Sequence, residues 1–238
     1  MRFLGQRIVV IGGSSGMGLA TAKAAAAEGA KVVIASRSEE KLRQAKAQIQ
    51  GSVELLTANV MDEKSIQSFF NKVGEFDHLT TPGSEAVMGP FLELDTQAAR
   101  KAFDSKFWGQ YHAAKYGAPK IRPGGSITFF SGIWSLRPIP RASVVAAINS
   151  AIEGLGRALA VELAPIRVNV VSPGVVDTPL YGGMPPDKKE AMFKQVAASI
   201  PAKRIGKAEE IAQTVLYLMT NGYTTGSTLC VDGGTTLR

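Results

Sequence analysis

Cysteine and histidine, the residues on which disulfides and most transition-metal sites depend, are scarce in this chain. Its 238 residues include one cysteine, Cys230, and two histidines, His78 and His112. A single cysteine cannot form an internal disulfide, so the composition fits a reducing compartment. Neither histidine has a second ligand at a metal-binding spacing, and we expect no metal site. Cys230 falls in the last predicted strand, where we expect a buried core thiol.

Long apolar runs and clustered basic stretches are also scarce. The longest apolar stretch, 142–163, is interrupted by residues such as Asn149, Glu153 and Arg157, so we expect no membrane span. The net charge is +7, from 27 basic and 20 acidic residues. The basic residues are scattered and do not alternate with aromatic ones, which disfavours nucleic-acid binding. No targeting segment precedes the first predicted strand, and we expect a cytoplasmic protein.

The chain does contain a regular alternation of strand-like and helix-like segments. Strands are predicted at 8–11, 31–35, 53–58, 78–81, 126–130, 167–171 and 228–231. Helices are predicted at 16–28, 39–50, 63–73, 96–120, 142–163 and 208–220. This alternation predicts the α/β class, with a doubly wound parallel sheet covered on both faces. The length suits one domain, over residues 1–238.

A glycine-rich turn follows the first predicted strand. Residues 8–18 read IVVIGGSSGMG, in which Gly12 permits a tight turn, Gly16 lets the backbone approach a pyrophosphate and Gly18 allows close helix–strand packing. The helix that begins at Gly16 points its N–H groups and the positive end of its dipole at the phosphates. Strand, turn and helix occur in the required order, so the segment predicts a dinucleotide site. The residues predicted to contact the cofactor here are Gly12, Ser14, Ser15, Gly16, Met17 and Gly18.

Residues 172–207 form a long connection between a strand and a helix, rich in proline and glycine. Connections of this length are usually functional, and the amphipathic stretch 188–199 predicts a short helix within it. Ligands of doubly wound sheets bind beyond the carboxyl ends of the strands, where this connection begins. We therefore expect a substrate lid at about 179–206.

Three motifs together resemble the short-chain dehydrogenase/reductase family. They are the Gly12-x3-Gly16-x-Gly18 turn, Ser172-Pro173-Gly174 with Thr178, and Val231-Asp232-Gly233-Gly234. The stretch GLGRALAVEL at 154–163 is also typical of that family. The resemblance extends from about residue 4 to residue 234. It implies a seven-stranded Rossmann-type sheet, a nicotinamide cofactor and oxidoreductase chemistry, commonly in a homotetramer.

The resemblance also indicates which cofactor is bound. The second strand is followed by Ser36 and Arg37, where an acidic residue would bind the ribose 2′-hydroxyl and repel a 2′-phosphate. A guanidinium can bind that phosphate, so we expect NADP(H) rather than NAD(H), unless Arg37 is an ordinary exposed loop residue. The further positions that the resemblance assigns to the cofactor are Asn59, Val60, Pro82, Gly83, Pro173, Gly174, Val176 and Thr178.

The family's catalytic positions hold different residues in this chain. The family uses a tyrosine, a lysine four residues later, a serine thirteen residues before the tyrosine and an asparagine on the preceding helix. Counting from the match at 154–163 places Val145, Asn149, Gly132 and Lys106 at these positions, respectively. Valine cannot transfer a proton, so the usual mechanism cannot operate unchanged.

Lysine and asparagine have exchanged places in this alignment. If the two helices pack as in the family, the Lys106 ammonium could bind the cofactor ribose or a carbonyl oxygen and stabilise negative charge. Asn149 lies on an inward helix face, where an amide needs partners. The alternatives are a surface-directed Lys106 and a purely structural Asn149. Ser131, next to the vacated serine position, could anchor a substrate oxygen, although adjacent strand residues normally face opposite sides. A proton could come from Tyr181 or from water.

These features predict an NADP(H)-dependent oxidoreductase that transfers a hydride to or from a small carbonyl or alcohol at a nonstandard active site. Two alternatives stay open. One is an NADP(H)-binding pseudoenzyme with a regulatory or scaffold role, and the other is a non-redox isomerase or cyclase on the same fold. We expect a small-molecule substrate, no nucleic-acid or membrane partner, and a homo-oligomer, either a tetramer or a dimer.

Overall fold

The computed structural model describes residues 1–82 and 87–237. Within these ranges, seven parallel strands form one sheet and two strands of two residues each form a separate pair. The strands are β1 (Arg7–Ile11), β2 (Lys31–Ser36), β3 (Val53–Thr57), β4 (Phe76–Thr80), β5 (Ile121–Phe130), β6 (Arg167–Pro173), β7 (Val176–Asp177), β8 (Gly206–Lys207) and β9 (Thr228–Val231). The order in the large sheet is β3-β2-β1-β4-β5-β6-β9. The predicted doubly wound α/β fold is confirmed.

Helices cover both faces of the sheet. They are α1 (Gly16–Ala27), α2 (Glu39–Lys46), α3 (Glu63–Val73), α4 (Thr96–Phe103), α5 (Gly109–Gly117), α6 (Ser143–Glu162), α7 (Pro186–Ser199) and α8 (Ala208–Thr220). One core, which includes Phe70, Phe129 and Ile148, lies under α3, α5 and α6. The other, which includes Leu42 and Val215, lies under α1, α2 and α8. Burial on both faces explains why the strands read as continuous apolar runs.

The chain reverses its winding direction between β1 and β4. In the register of the sheet, Ile8 of β1 pairs with Val32 of β2 on one side and with His78 of β4 on the other. The connections from these two neighbours leave toward opposite edges of the sheet, which opens a crevice beyond the carboxyl ends of the strands. The fold therefore places a ligand site at the end of β1, where the glycine-rich turn begins.

The predicted elements are present with bounds that mostly agree within two residues, but three differ by more than this or are interrupted. The helix predicted at 39–50 ends at Lys46, because hydrogen bonds from Gln48 to Ala45 and from Ile49 to Lys46 tighten the chain into turns. Strand β5 begins five residues before its predicted start, because Ile121 pairs with Phe76 across an irregularity in the register. The helix predicted at 96–120 is interrupted by a π-helical segment, Asp104–Trp108.

The long connection after β6 is closed at its base by the small strand pair. Val176 of β7 pairs with Gly206 of β8, so the predicted lid range 179–206 begins just after β7 and ends at the first residue of β8. Helix α7 fits the predicted helix at 188–199 but begins two residues earlier, with Pro186 in its first turn, where proline is well tolerated. The strand pair was not predicted, because two residues carry no periodic signal.

The prediction of a buried Cys230 is wrong. Cys230 is exposed, because β9 is an edge strand with a neighbour, β6, on one side only. Helix α6 is the one described helix that could cross a membrane by length and composition. Its buried face carries Asn149 and Glu153 and packs against β6, and core helices meet the same length and composition criterion.

Candidate active site

A cavity of about 540 Å³ lies beyond the carboxyl ends of the central strands. It joins the glycine-rich turn to the corner where the catalytic residues were predicted. The predicted cofactor residues that line it are Gly12, Ser14, Ser15, Gly16, Met17, Gly18, Ser36, Arg37, Val60, Pro82, Pro173, Gly174 and Thr178. The predicted catalytic residues Lys106, Asn149 and Ser131 also line it, together with Val145. Cofactor-binding and catalytic candidates therefore share one cavity.

Two predicted cofactor residues that the structure describes, Asn59 and Val176, do not line this cavity. The Asn59 side chain accepts a hydrogen bond from the Met61 N–H at 3.2 Å and so stabilises its own loop. Val176 is buried in the core under α1 and α8, and its neighbour Val175 lines the cavity instead. Gly83 lies outside the described residues. For Asn59 and Val176, the family resemblance identified segments that border the cavity. It did not resolve which side chains of those segments face the cavity.

The glycine-rich turn has a backbone that only glycine accommodates. Gly12 and Gly16 have positive φ values of 91° and 53°. A Cβ at Gly18 would lie 2.1 Å from the Gly12 carbonyl oxygen. Helix α1 begins here, and its first turn contains no acidic residue. The N–H groups and the positive end of the α1 dipole are therefore available to an anion in the cavity, and this cradle fits a dinucleotide pyrophosphate.

Two cationic side chains lie at the other end of the cradle, after β2. Arg37 is exposed and lines the cavity, as does Lys41 in the first turn of α2. The Ser36 hydroxyl donates to the Ser38 carbonyl at 3.1 Å, and the Ser38 hydroxyl accepts from the Lys41 backbone N–H at 3.3 Å. Lys41 was not among the predicted site residues. Its spacing four residues after Arg37 is the signal that could have identified it.

Lys106 and Asn149 are in direct contact, although 43 residues separate them. The Lys106 Nζ donates to Asn149 Oδ1 at 2.6 Å and to the Ser131 carbonyl oxygen at 2.8 Å. The Asn149 Nδ2 donates to the Gly132 carbonyl oxygen at 3.0 Å. Asn149 is 1% exposed, and both its amide oxygen and its amide nitrogen have a hydrogen-bond partner. A coupled role of Lys106 and Asn149 required their two helical segments to pack against each other, and they do so.

The environment of Lys106 shifts its protonation. Burial removes water from the ammonium and lowers the pKa of Lys106 from 10.5 to about 8, while the Glu153 carboxylate opposes this shift by favouring the charged form. The direct hydrogen-bond partners of Lys106 are both neutral oxygens. A lysine in this setting loses its proton much more readily than a surface lysine does.

Glu153 and Ser135 support this arrangement and were not predicted. The Ser135 hydroxyl lies 2.6 Å from Glu153 Oε1 and 3.1 Å from the Gly132 carbonyl oxygen, which also accepts from Asn149. Val145, Asn149 and Glu153 follow one another at intervals of four residues, which places them on one face of α6. All three are buried. This spacing places a charged residue one turn after the amide on the same helix face, and it is the sequence signal that could have identified Glu153.

Gly132, at the position of the family's serine, makes room for the asparagine. A Cβ at Gly132 would lie 3.0 Å from Asn149 Nδ2. Ser131 contacts Lys106 through its backbone carbonyl, and its buried hydroxyl has no hydrogen-bond partner in the described structure. The predicted role of Ser131, in which its hydroxyl anchors a substrate oxygen, stays a prediction.

The wall opposite the sheet is formed in part by the predicted lid. Tyr181 lines the cavity and contacts Phe193 of α7 edge to face, with 5.3 Å between ring centroids. Lys189 of α7 forms an ion pair with Asp177 at 2.7 Å. Burial and the nearby Asp177 raise the pKa of the Tyr181 phenol, so it stays protonated at neutral pH. Among the described residues, no cluster of three or more histidine, cysteine or acidic side chains could hold a metal ion.

Comparison with known proteins connects this site to a family. A family model described as enoyl-(acyl carrier protein) reductase matches residues 11–236. The short-chain dehydrogenase/reductase ATR9 of Stachybotrys chlorohalonatus is 35% identical over 254 residues, which cover 98% of each chain. The L-xylulose reductase of Mus musculus is 33% identical, over 97% of this chain and 96% of that protein. These matches extend over nearly the whole length of both proteins.

Solved structures give the same result. A small-chain dehydrogenase in complex with NADPH is 38% identical and covers 98% of this chain and 99% of its own, with a TM-score of 0.85. The MalC reductase/Diels-Alderase from Malbranchea aurantiaca is 27% identical and covers 100% of this chain and 98% of its own, with a TM-score of 0.92. From the glycine-rich turn to the last strand, the chain belongs to the short-chain dehydrogenase/reductase family of oxidoreductases.

Proposed function

We propose that the protein is an NADP(H)-dependent oxidoreductase that interconverts a small carbonyl compound and its alcohol, with Lys106 as the charged group of a nonstandard active site. One observation carries this proposal. The Lys106 amine is held by two neutral acceptors at the wall of the same cavity that contains the glycine-rich cradle. No phenol occupies the family's tyrosine position in the alignment, since Val145 stands there.

The cradle and the basic corner support NADP(H) as the cofactor. The turn from Gly12 to Gly18 would hold the pyrophosphate against the N-terminus of α1. Arg37 and Lys41 would bind the 2′-phosphate with charge-assisted hydrogen bonds. The similarity to a dehydrogenase that binds NADPH is consistent with this assignment. The bound cofactor would supply or accept the hydride.

Lys106 provides a fixed positive charge for the oxygen of the substrate. An ammonium has three N–H donors, and two of them are used by Asn149 and Ser131. The third is available to a substrate oxygen in the cavity, where it would stabilise the charge that develops as the carbonyl is reduced. Because its pKa is about 8, Lys106 can also release a proton near neutral pH and so replace the family's tyrosine as general acid.

The test is turnover with NADPH and a panel of aldehydes and ketones. We expect Lys106→Met to lower kcat about 10²-fold or more, which is the usual contribution of a general acid. Lys106→Arg should retain part of the activity, because it keeps the charge. Lys115→Met is the matched control, since Lys115 is exposed and pairs with Glu63 away from the cavity. Equal activity of Lys106→Met and wild type would exclude this role.

A second candidate is a non-redox cyclisation or isomerisation in the same cavity. The apolar Val145 at the tyrosine position favours it, as does the likeness to a protein named as both a reductase and a Diels-Alderase. Product formed without consumption of NADPH would identify this case. Tight NADPH binding without any conversion would instead identify a pseudoenzyme that serves as a regulator or scaffold.

We also propose a homo-oligomer, either a dimer or a tetramer, that acts on a small molecule in the cytoplasm without a nucleic-acid or membrane partner. Aromatic side chains on the outer face of the α5 region support self-association. Trp108, which is 43% exposed, contacts Phe107, Tyr111 and His112 in a continuous series. Exposed aromatic surface of this kind is typical of protein interfaces. Light scattering during size-exclusion chromatography would give the stoichiometry.

A further inference from the structure

The hydrogen bonds of Lys106 match those of a neutral amine. A neutral amine has two N–H groups, and the structure provides two acceptors, Asn149 Oδ1 at 2.6 Å and the Ser131 carbonyl oxygen at 2.8 Å. A neutral amine that donates to both acceptors has no further hydrogen, and its lone pair is left for a ligand. Lys106 lines the cavity, so a ligand in the cavity can reach this side chain.

The Glu153 carboxylate, which favours the charged form of Lys106, does not form an ion pair with the Lys106 nitrogen. Glu153 interacts with Lys106 electrostatically, but its Oε1 is engaged by the Ser135 hydroxyl. Val145 adds an apolar wall to the same cavity. Within residues 1–82 and 87–237, Lys106 has no direct carboxylate partner, and a desolvated lysine of this kind can act as a nucleophile toward carbonyl compounds.

We propose that Lys106 is a covalent carbonyl-binding residue, which captures aldehydes or ketones in the cavity as imines. The proposal rests on the proposed site but not on hydride transfer. The nitrogen lone pair attacks the carbonyl carbon, so that a C–N bond replaces the C–O π bond. The carbinolamine then loses its oxygen as water. In the net reaction, the ammonium and the carbonyl compound give an iminium ion and water, with no change in oxidation state. The one N–H that is left in the iminium can still be donated to Asn149.

Protonation equilibria favour this residue over the other lysines. With a pKa of about 8, roughly a tenth of Lys106 is neutral at pH 7, against fewer than about one in a thousand for an ordinary lysine. Lys115 is a useful contrast within the same chain. Its ammonium pairs with Glu63 at 2.8 Å, and this pairing raises the pKa of Lys115.

Reductive trapping tests the proposal without NADPH. The full chain is incubated with butanal and sodium cyanoborohydride at pH 7, and the modified lysines are located by peptide mass spectrometry. We expect the butyl adduct to form at Lys106 at least about tenfold faster than at Lys115. The rate at Lys106 should level off above about pH 8, whereas the rate at Lys115 should keep rising.

Variants make the assignment specific. Lys106→Met should lose the fast adduct and keep the slow ones, and Lys115→Met should keep the fast adduct. Modification of wild-type Lys106 no faster than Lys115 would overturn the proposal, whatever the folding of the variants. Because NADPH is absent, the result is independent of the turnover test. A fast adduct without turnover supports imine capture alone, and turnover without the adduct rejects imine capture while leaving the reductase assignment in place.

Discussion

At the scale of single residues, the two reactions that we propose depend on the charge state of Lys106. Two effects oppose each other there, because burial favours the neutral amine and the Glu153 carboxylate favours the ammonium. Hydride transfer to a carbonyl uses the ammonium, and imine formation uses the neutral amine. One side chain can support both only because its pKa, about 8, lies close to physiological pH. In these proposals, burial shifts the balance toward the neutral amine, and Glu153 shifts it back toward the ammonium.

Replacing Glu153 by glutamine should shift the pH dependence of the reductase. An activity that needs the ammonium is present below the pKa of Lys106 and is lost as the pH rises through about 8. The substitution removes the carboxylate that favours the charged form, so the loss should begin at a lower pH. We expect severalfold less activity than wild type at pH 8 and little difference at pH 6. Glutamine can still accept from Ser135, which preserves the local contact.

The measurement is kcat/KM for NADPH-dependent reduction between pH 6 and pH 9. Glu162→Gln is the matched control, because Glu162 lies on the same helix and is exposed. Its profile should coincide with that of wild type. A Glu153→Gln profile that coincides with wild type as well would show that Glu153 does not control the charge of Lys106.

Cofactor preference is also a property of individual side chains. A charge-assisted hydrogen bond contributes about 1.5–3 kcal/mol, so Arg37→Ala or Lys41→Ala should weaken NADP⁺ binding about 10- to 100-fold. NAD⁺ lacks the 2′-phosphate, and its affinity should be nearly unchanged. Calorimetry with both dinucleotides measures this ratio. Lys46→Ala, on the exposed last turn of α2 and away from the cavity, serves as the control. An equal loss for both dinucleotides would argue against phosphate recognition.

At the scale of elements, the sequence predicted the parts of the site that depend on periodicity and on backbone conformation. Strand runs such as Thr228–Val231, the helix Ala208–Thr220 and the positive-φ glycines of the first turn are all local properties. Contacts between distant elements were only partly predictable. The coupled Lys106 and Asn149 followed from the alignment, whereas Glu153 and Ser135 did not, because their roles depend on hydrogen bonds that the spacing alone does not define.

The π-helical segment shows how an irregular element can position a functional residue. Lys106 lies within Asp104–Trp108, between α4 and α5, and its carbonyl accepts from the Gln110 side chain at 3.1 Å. Gln110 in turn contacts both the N–H and the carbonyl of Phe130 at the end of β5. This side chain therefore joins the irregular turn to the sheet. No periodic pattern predicts such a segment, since the sequence reads as one continuous helix, and π-bulges occur frequently at functional sites.

At the scale of the whole molecule, titratable groups at the two ends of the parallel strands change their protonation in different ranges of pH. The cavity at the carboxyl edge contains Lys106, with a pKa of about 8. Near the amino edge, His78 of β4 is hydrogen-bonded to Ser126 of β5 at 2.9 Å and to Gln6, just before β1, at 3.2 Å. His78 thus joins the three central segments of the fold. We expect the titration of His78 to change the stability of the fold and the titration of Lys106 to change the proposed activity.

His78 should make the free energy of unfolding depend on pH below 6.5. Burial, together with the positive charge of Arg167, lowers the pKa of His78 from 6.5 to about 4. Between these values the unfolded chain binds more protons than the folded one, so stability is fully present above pH 6.5 and is lost as the pH falls through about 4. The loss due to this residue amounts to about 3 kcal/mol when complete.

Urea denaturation of wild type and His78→Gln at pH 7 and pH 4 measures this contribution. Carboxylates titrate in the same range in both proteins, so the difference between the two pH dependences isolates the histidine. We expect wild type to lose more stability than the variant between these pH values, and equal losses would contradict the assignment. Lys106 acts in the same sense at higher pH, because its pKa is also lowered by burial and losing its proton above about pH 8 favours the folded state. A fall in activity between pH 7 and pH 9 therefore reports the charge of Lys106 rather than unfolding through either group.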